Sequence, residues 1–289
     1  MDALLHQIFA GLASGGIYAS LALSLVMIHN ATNHINFAQG EMAMFSTYIA
    51  WSLINLGVPY WLAFFITIVV SFFAAAAIER ILIRPVEKAP VLTVVSVFIG
   101  LLLILNSVAG WIYTYTIKSF ASPFPSEPPF GNKFVSSHEL GAIAIALFVL
   151  VAMYLFFRVT PLGLAMRAAA ENPASSRLVG IRVGWMLALG WGFAGAIGAI
   201  AGMMIAPLVY LDPNMMAGIM LYAFAGAMLG GIDNAWGAVI GGFMMGVLEN
   251  VVGAVIGTEL KLTVALVIII IVLLLRPNGI WGHKVVSRV

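Results

Sequence analysis

Nine stretches of mostly apolar residues alternate with short polar gaps along the chain. A helix of about 20 apolar residues crosses the hydrocarbon of a bilayer, and most of these stretches reach that length. They must be helical, because an open strand edge in lipid would leave backbone polar groups without partners. The pattern therefore predicts an all-α, polytopic transmembrane helix bundle of eight or nine spans. The stretches are 7–28, 38–57, 59–80, 91–113, 139–158, 185–209, 217–231, 237–257 and 260–276.

The stretch 217–231 is short for a complete crossing. We expect either a full span or a half-helix or re-entrant segment that its neighbours support. The remaining stretches are long enough to cross fully.

Lys and Arg residues are distributed unevenly between the polar gaps. Placing the loops 81–90 and 159–184 and the C-terminal tail in the cytoplasm puts ten of the thirteen basic residues on that side, as the positive-inside rule requires. Nine crossings then predict an external N-terminus, a cytoplasmic C-terminus and a Pro- and Ser-rich external loop at 114–138. The ten basic residues are Arg80, Arg84, Lys88, Arg158, Arg167, Arg177, Arg182, Arg276, Lys284 and Arg288, whereas Lys118, Lys133 and Lys261 lie outside.

Composition supports the membrane assignment. Of the 289 residues, 63% are hydrophobic and 8% are charged, whereas a soluble domain has roughly 25% charged residues. No loop is long enough to fold independently, so we predict a single transmembrane domain over 1–289. The net charge of +2 gives no indication of a nucleic-acid partner.

Motifs for catalysis or metal binding are absent from the sequence. It has no cysteine, no G-x-x-x-x-G-K-[ST] phosphate loop, no H-E-x-x-H and no G-x-S-x-G. The five histidines are dispersed, and His29 and His34 have poor spacing for a shared metal. We predict a transporter subunit with no cofactor of its own rather than an enzyme.

The segment Ile35–Glu41 (INFAQGE) begins the second apolar stretch with three polar residues, Asn36, Gln39 and Glu41. An ionisable group in or near the hydrocarbon is costly and usually faces a partner or a water-filled path. One interpretation is a substrate path or gate element. The alternative is that Asn36 and Glu41 cap the N-terminus of the helix, where the dipole favours a carboxylate.

The segment 159–184 contains two predicted short helices between spans. Leu164–Glu171 has helix-forming composition and ends before Pro173, and a second helix at 174–179 should end at Gly180. Such a segment suits docking into a groove on a cytoplasmic partner. The alternative is an ordinary interfacial connector.

Glycines four residues apart occur in the later stretches, and they predict close contact between helix backbones. The segment 229–237 predicts a tight turn between two such helices. Glu249 and Asn250 lie within the span 237–257 and need partners there, so we expect either structural pairing or a place on the substrate path. The glycines are Gly195, Gly198, Gly202, Gly226, Gly230, Gly237, Gly241, Gly242, Gly246, Gly253 and Gly257.

Several short motifs occur in a fixed order over nearly the whole chain. They are Ile35–Glu41, Ile78–Arg80 with Arg84–Val86, Gly163–Glu171 with Leu178–Ile181, Leu229–Ile232 with Gly237–Gly242, and Pro277–Gly282. With these motifs in this order, the sequence resembles the LivH-type permease subunits of bacterial branched-chain amino-acid ABC importers. It departs at Gln39, where the family often has His, at Tyr222, where Lys is common, and at Asp233-Asn234, where Gly-Ser is common.

This resemblance implies a complex in the bacterial inner (cytoplasmic) membrane. The expected partners are a second related permease, two cytoplasmic ATPase subunits that carry ATP and Mg, and a periplasmic solute-binding protein. The resemblance also implies which residues couple this subunit to the ATPase: Arg167, Ala168, Glu171 and Asn172. The residues expected along the substrate path are Asn36, Gln39, Glu41, Glu249 and Asn250.

Three functional hypotheses follow. The first is an importer permease for branched-chain or other hydrophobic amino acids, with urea, short amides or aromatic acids as alternative solutes. The second is a stand-alone secondary transporter or channel, which would need paired ionisable groups at mid-membrane; the sequence gives Glu249 no evident partner. The third, an intramembrane enzyme, lacks a visible catalytic site.

Overall fold

The computed structural model describes residues 2–32, 34–87, 89–125 and 135–282. Within these ranges the chain forms eleven α-helices, and the only strand-like pairing is a single bridge between Lys118 and Leu211. The helices are α1 Asp2–Thr32, α2 Gln39–Asn55, α3 Tyr60–Ile78, α4 Val91–Tyr113, α5 Ser137–Val159, α6 Pro161–Glu171, α7 Pro173–Leu178, α8 Val183–Val209, α9 Met216–Gly230, α10 Ala235–Val255 and α11 Lys261–Leu275.

Seven of the helices in these ranges are long and apolar enough to cross a membrane. They are α1, α3, α4, α5, α8, α10 and α11, and the remaining two predicted spans are the shorter helices α2, with 17 residues, and α9, with 15. The predicted all-α, multi-pass membrane fold is therefore confirmed. Its orientation, the single-domain assignment and the sides of its loops stay predictions, and Lys88, Lys133, Lys284 and Arg288 lie outside the described residues.

Proline residues mark where several helices start. Pro59 and Pro90 immediately precede α3 and α4, and Pro161 and Pro173 occupy the first turns of α6 and α7. Proline suits the first turn because that turn needs no backbone N–H donor and its φ angle is already helical.

The backbone packs as two compact units. The first unit comprises Met1–Val26, Phe124–Ala146 and Gly218–Val289. In it, a Cβ on Gly226 would lie 2.8 Å from the Cα of Gly242, and one on Gly242 would collide with the backbone of Ala19. The predicted close packing between glycine-bearing helices is thus confirmed, and α1, α9 and α10 approach backbone to backbone.

The second unit comprises Met27–Pro123 and Leu147–Ala217. Its central element is α8, which packs against α2, α3 and α6. Trp191 of α8 is fully buried and stacks on Phe98 of α4, with ring centroids 6.0 Å apart. Small residues at Gly195 and Gly202 let the backbones of α3 and α2 come close to α8.

Arg84 ties the end of α3 to the start of α8. Beyond Ile78 the chain continues as a π-helical turn, Glu79–Ile83, and a short 3₁₀ turn, Arg84–Val86. Arg84 Nη2 lies 2.9 Å from Glu79 Oε2 and also donates to the carbonyl of Gly184. Because Glu79 is almost fully buried, this pairing satisfies a charge that would otherwise be costly.

Candidate functional site

Helix α2 begins deep within the second unit rather than at its edge. The Gln39 side chain donates from Nε2 to the carbonyl of Ala194, at 2.9 Å. Ala194 lies eleven residues after the start of α8, or about 16 Å along its axis. The start of α2 therefore lies near the midpoint of α8, and the non-helical residues just before Gln39 lie at the same depth.

The turn before α2 is held by its own polar side chains. Asn36 Oδ1 accepts from the backbone N–H of Ala38 at 3.0 Å, and Asn36 Nδ2 donates to Gln39 Oε1 at 3.4 Å. Asn36 and Gln39 are fully buried. Asn36 thus closes the turn that precedes the helix instead of capping the helix, whose N-cap, Ala38, has no side-chain hydrogen bond. The capping alternative is wrong for Asn36.

Glu41 lies in the first turn of α2 and is 7% exposed. Its carboxylate interacts with the amide of Asn106 on α4, yet its Oε2 atom has no hydrogen-bond partner among the described residues. Asn106 is itself fixed, since Nδ2 donates to the carbonyl of Pro213 at 2.8 Å and Oδ1 accepts from the hydroxyl of Tyr115 at 3.3 Å. Glu41 therefore has one carboxylate oxygen free to accept from a cationic or N–H donor.

A second polar cluster lies in the first unit and surrounds Glu249. Its Oε2 accepts from the hydroxyl of Tyr18 at 2.6 Å, and its Oε1 lies 3.1 Å from Lys261 Nζ. Tyr18 stacks on Tyr222, with ring centroids 5.3 Å apart. Neighbouring Asn250 donates to the carbonyl of Gly246, one turn earlier. The expectation that Glu249 has no evident basic partner is wrong, because Lys261 begins α11 and reaches it across the α10–α11 connection.

The two predicted short helices of the segment 159–184 are present as α6 and α7. Thr160 caps α6 by accepting from the N–H of Gly163, and Asn172 caps α7 by accepting from the N–H of Ser175, both at 3.0 Å. The chain then turns at Gly180, whose φ of +84° favours glycine. Asn172, expected as a coupling residue, thus also has a local structural role.

One face of α6 is buried and the other is exposed. Gly163, Met166 and Ala169 recur every three residues and are buried; Gly163 lies against the end of α5, and α6 also packs on α8. Arg167 and Glu171 are exposed, whereas Ala168 is half-buried. In α7 and just after it, Leu178 and Val179 are 89% and 76% exposed. The segment therefore presents charged and apolar side chains together on an accessible surface.

Residues 7–273 match the family described as branched-chain amino acid transport system / permease component. The chain belongs to this permease family. It is 30% identical to the high-affinity branched-chain amino acid transport system permease protein LivH of Escherichia coli, over 99% of this chain and 97% of the relative. It is 31% identical to the corresponding protein BraD of Pseudomonas aeruginosa, over 99% and 98%. A probable LivH permease of Methanocaldococcus jannaschii is 29% identical, over 91% and 87%. No solved structure matches the chain.

The permease resemblance inferred from the short motifs is confirmed by these comparisons, and with it the assignment of a transporter subunit rather than an enzyme. Three residues of the candidate polar sites were missed from the sequence. Asn106 could have been noticed as an amide within the apolar stretch 91–113, and Tyr18 as a hydroxyl within 7–28. Lys261 was expected only as one of three basic residues on the external side, because the sequence alone does not reveal its proximity to Glu249.

The permease presents no candidate metal site within the described ranges, where no three His, Asp or Glu side chains come together. The expected path residues fall into two groups. Asn36, Gln39 and Glu41 come together in the second unit, and Glu249 and Asn250 are neighbours in the first.

Proposed function

We propose that this chain is a membrane-spanning permease subunit of an ATP-driven importer, and that its solutes are branched-chain amino acids. The observation that carries the proposal is its family membership over nearly the full length, with relatives whose names specify branched-chain amino acid transport. We place the protein in the bacterial inner membrane, with an external N-terminus and a cytoplasmic C-terminus.

We assign contact with the solute to the buried start of α2, as part of the translocation path. Unwound backbone at membrane depth is tolerated where it is buried in protein or lines a cavity, and transporters use such discontinuities to bind polar groups of a solute. Asn36 and Gln39 hold the turn in place, and Glu41 offers the free carboxylate oxygen. The ammonium group of an amino acid would donate a hydrogen bond to such an oxygen.

The rest of the solute is apolar, and the surroundings of α2 are apolar as well. Met42 and Ala43 follow Glu41 in α2 and are buried, and Met42 belongs to one apolar cluster with Phe98 and Trp191. A path that opened here would hold the charged end of the solute at Glu41 and keep its side chain among apolar groups.

The segment α6–α7 is assigned to the coupling of ATP hydrolysis with transport. Its exposed Arg167, Glu171, Leu178 and Val179 combine charge with apolar area, as a groove on an ATPase partner would require. ATP binding on the partner would then bias the permease between its outward-open and inward-open states. ATP and Mg are held by two partner ATPases, and a second related permease and a periplasmic solute-binding protein complete the importer.

A stand-alone secondary transporter is the second candidate, because Glu249 and Lys261 form the paired ionisable groups that such a transporter would need. Both oxygens of Glu249 are occupied, by Tyr18 and Lys261, which favours a structural pair over an ion-coupling site. Proton-driven uptake by the chain alone in liposomes would favour this candidate instead.

The test is purification of the tagged chain with the products of its neighbouring genes, followed by reconstitution in liposomes. We expect two phosphate-loop ATPases and a second permease to copurify, and the complex to take up leucine only with ATP and the binding protein. Purification of the chain alone, or leucine uptake without ATP, would contradict the proposal. Uptake of urea or an aromatic acid in place of leucine would support an importer of this type with a different solute.

A further inference from the structure

An apolar groove runs along the second unit, with α3 and α5 as its walls and α8 as its floor. Each helix contributes four side chains, all of them apolar, and the groove has a volume of about 330 Å³. Ala196 and Ile197 of α8 are buried at its base. Phe73 and Phe148 stand at the rims and are 67% and 74% exposed.

Aromatic contacts explain why the groove exists. Phe193 of α8 contacts Phe72 of α3 and Phe156 of α5, with ring centroids 5.3 and 4.8 Å apart. Both walls therefore pack on the same side chain of α8, and the space between the walls stays open. The three helices are all long and apolar enough to span the membrane, so this space lies at the depth of the hydrocarbon.

The groove is apolar throughout and lies at the depth of the hydrocarbon, so its occupant must be apolar. An extended acyl chain is narrow enough to lie in the groove, and it supplies the dispersion contacts that an empty groove would lose.

Two arginines lie beyond the same end of the groove. Arg80, seven residues after Phe73, has its guanidinium 4.4 Å from the ring centroid of Trp185 at the start of α8. Arg158 lies five residues after Met153, a residue of the α5 wall, so each arginine lies about 8–10 Å beyond the groove along its helix. Both are exposed, and neither forms a salt bridge among the described residues; Arg158 donates to the hydroxyl of Tyr154, and Arg80 follows the buried Glu79 directly.

We propose that this groove and the two arginines form a binding site for an anionic phospholipid. One acyl chain lies in the groove against Ala196 and Ile197, and the phosphate accepts hydrogen bonds from Arg80 and Arg158. The distance from groove to arginines agrees with this arrangement, because about 15 Å of hydrocarbon separates the bilayer midplane from the headgroups. Exposed Trp185 lies beside Arg80, at the level where Trp is enriched at membrane interfaces.

Photo-crosslinking tests the position of the chain. The intact importer complex is reconstituted in phosphatidylethanolamine vesicles with a small fraction of phosphatidylglycerol that carries a diazirine at mid-chain. We expect crosslinks on Phe73, Phe148 and Val69, and their loss in Ala152→Phe, which fills the groove. Ala144→Phe, an exposed position on the same helix, is the control and should leave them unchanged.

Native mass spectrometry tests the headgroup. Phosphatidylglycerol retention should fall about fivefold in Arg80→Gln and again in Arg158→Gln, because a basic residue near a membrane surface contributes roughly 1 kcal/mol. Arg276→Gln, at the end of α11, should leave retention unchanged. These arginine variants keep the groove intact, so they decide the question even where Ala152→Phe fails to fold.

Three results would overturn the proposal. Equal retention of phosphatidylglycerol and phosphatidylethanolamine in every variant would show that no anionic headgroup site exists. Crosslinks spread evenly over the exposed faces of α4 and α11 would show that no chain is held in the groove. Protection of the groove residues by a second permease subunit would make the groove a protein interface.

Discussion

The acidic side chains within the helical bundle are stabilised in different ways. Glu79 pairs with Arg84, and Glu249 has one oxygen on Tyr18 and the other on Lys261. Glu41 is less buried than Glu79 but more buried than Glu249, yet its Oε2 has no hydrogen-bond partner among the described residues. An unsatisfied buried polar atom costs about 1–3 kcal/mol, so its retention suggests a use beyond stability.

The first prediction concerns Glu41→Gln. Leucine uptake by the reconstituted importer should fall about tenfold or more, because losing a hydrogen bond to a charged group removes about 1.5–3 kcal/mol. The variant should unfold at the same temperature as the wild type or a higher one, because it removes a buried, partly unpaired charge. Uptake and thermal unfolding are measured on the same preparation.

Thr67→Val is the matched control for Glu41→Gln. Thr67 is fully buried in α3, and its hydroxyl also has no hydrogen-bond partner among the described residues. We expect this variant to be at least as stable and to transport normally. Unchanged uptake in Glu41→Gln would remove Glu41 from the path, and a parallel loss in Thr67→Val would point to a general packing effect.

At the scale of elements, close approach between helices depends on positions where no side chain fits. A Cβ on Gly230 or Gly241 would collide with the backbone of the neighbouring helix, as one on Gly242 would with Ala19. In a bilayer there is no hydrophobic gain from bringing apolar helices together, so dispersion contacts across such surfaces hold the first unit together. Short helices such as α9 depend on this packing most.

The second prediction concerns Gly242→Ala. The added methyl group must displace the backbone of Ala19, and overpacking of this kind costs about 1–3 kcal/mol. We expect a clear fall in the thermal unfolding midpoint of the purified chain in detergent. Gly100→Ala, where a Cβ meets nothing within 4 Å, should leave the midpoint unchanged or raise it, since Ala favours a helix over Gly. Equal midpoints in both variants would refute the packing argument.

At the scale of the whole molecule, this chain spans the membrane but carries no phosphate loop. In the proposed importer, ATP is hydrolysed by partner subunits, so energy would enter through a surface that a partner contacts. The exposed side of α6 and α7 suits this role, because its buried side fastens it to α8, the central helix of the second unit. A push on α6 would thus be transmitted to α8 and to α2, which starts against it.

The third prediction concerns Arg167→Glu in the assembled importer. Reversing an exposed charge at the proposed docking surface should abolish the stimulation of ATP hydrolysis by the loaded binding protein, with little effect on folding. Arg276→Glu, also exposed but at the end of α11, should retain stimulation. ATPase rates with and without binding protein are compared, and wild-type stimulation in Arg167→Glu would exclude this helix as the coupling element.

The sequence by itself determined the fold class, the family and most helix positions. Apolar length reports membrane crossing directly, because lipid requires every backbone group in a span to be paired within its own helix. Glycine spacing likewise predicted close backbone packing, and Pro173 and Gly180 marked where the short helices meet and end. These are local properties, which neighbouring residues decide.

Tertiary structure decided the depth at which α2 begins and which polar side chains meet. Gln39 reaches Ala194, and Lys261 reaches Glu249, through packing that no spacing in the sequence reveals. Asn106 joined the candidate site for the same reason, because α4 brings it beside Glu41. In an apolar bundle most buried polar groups have a hydrogen-bond partner, and only the arrangement of whole helices determines which partner is within reach.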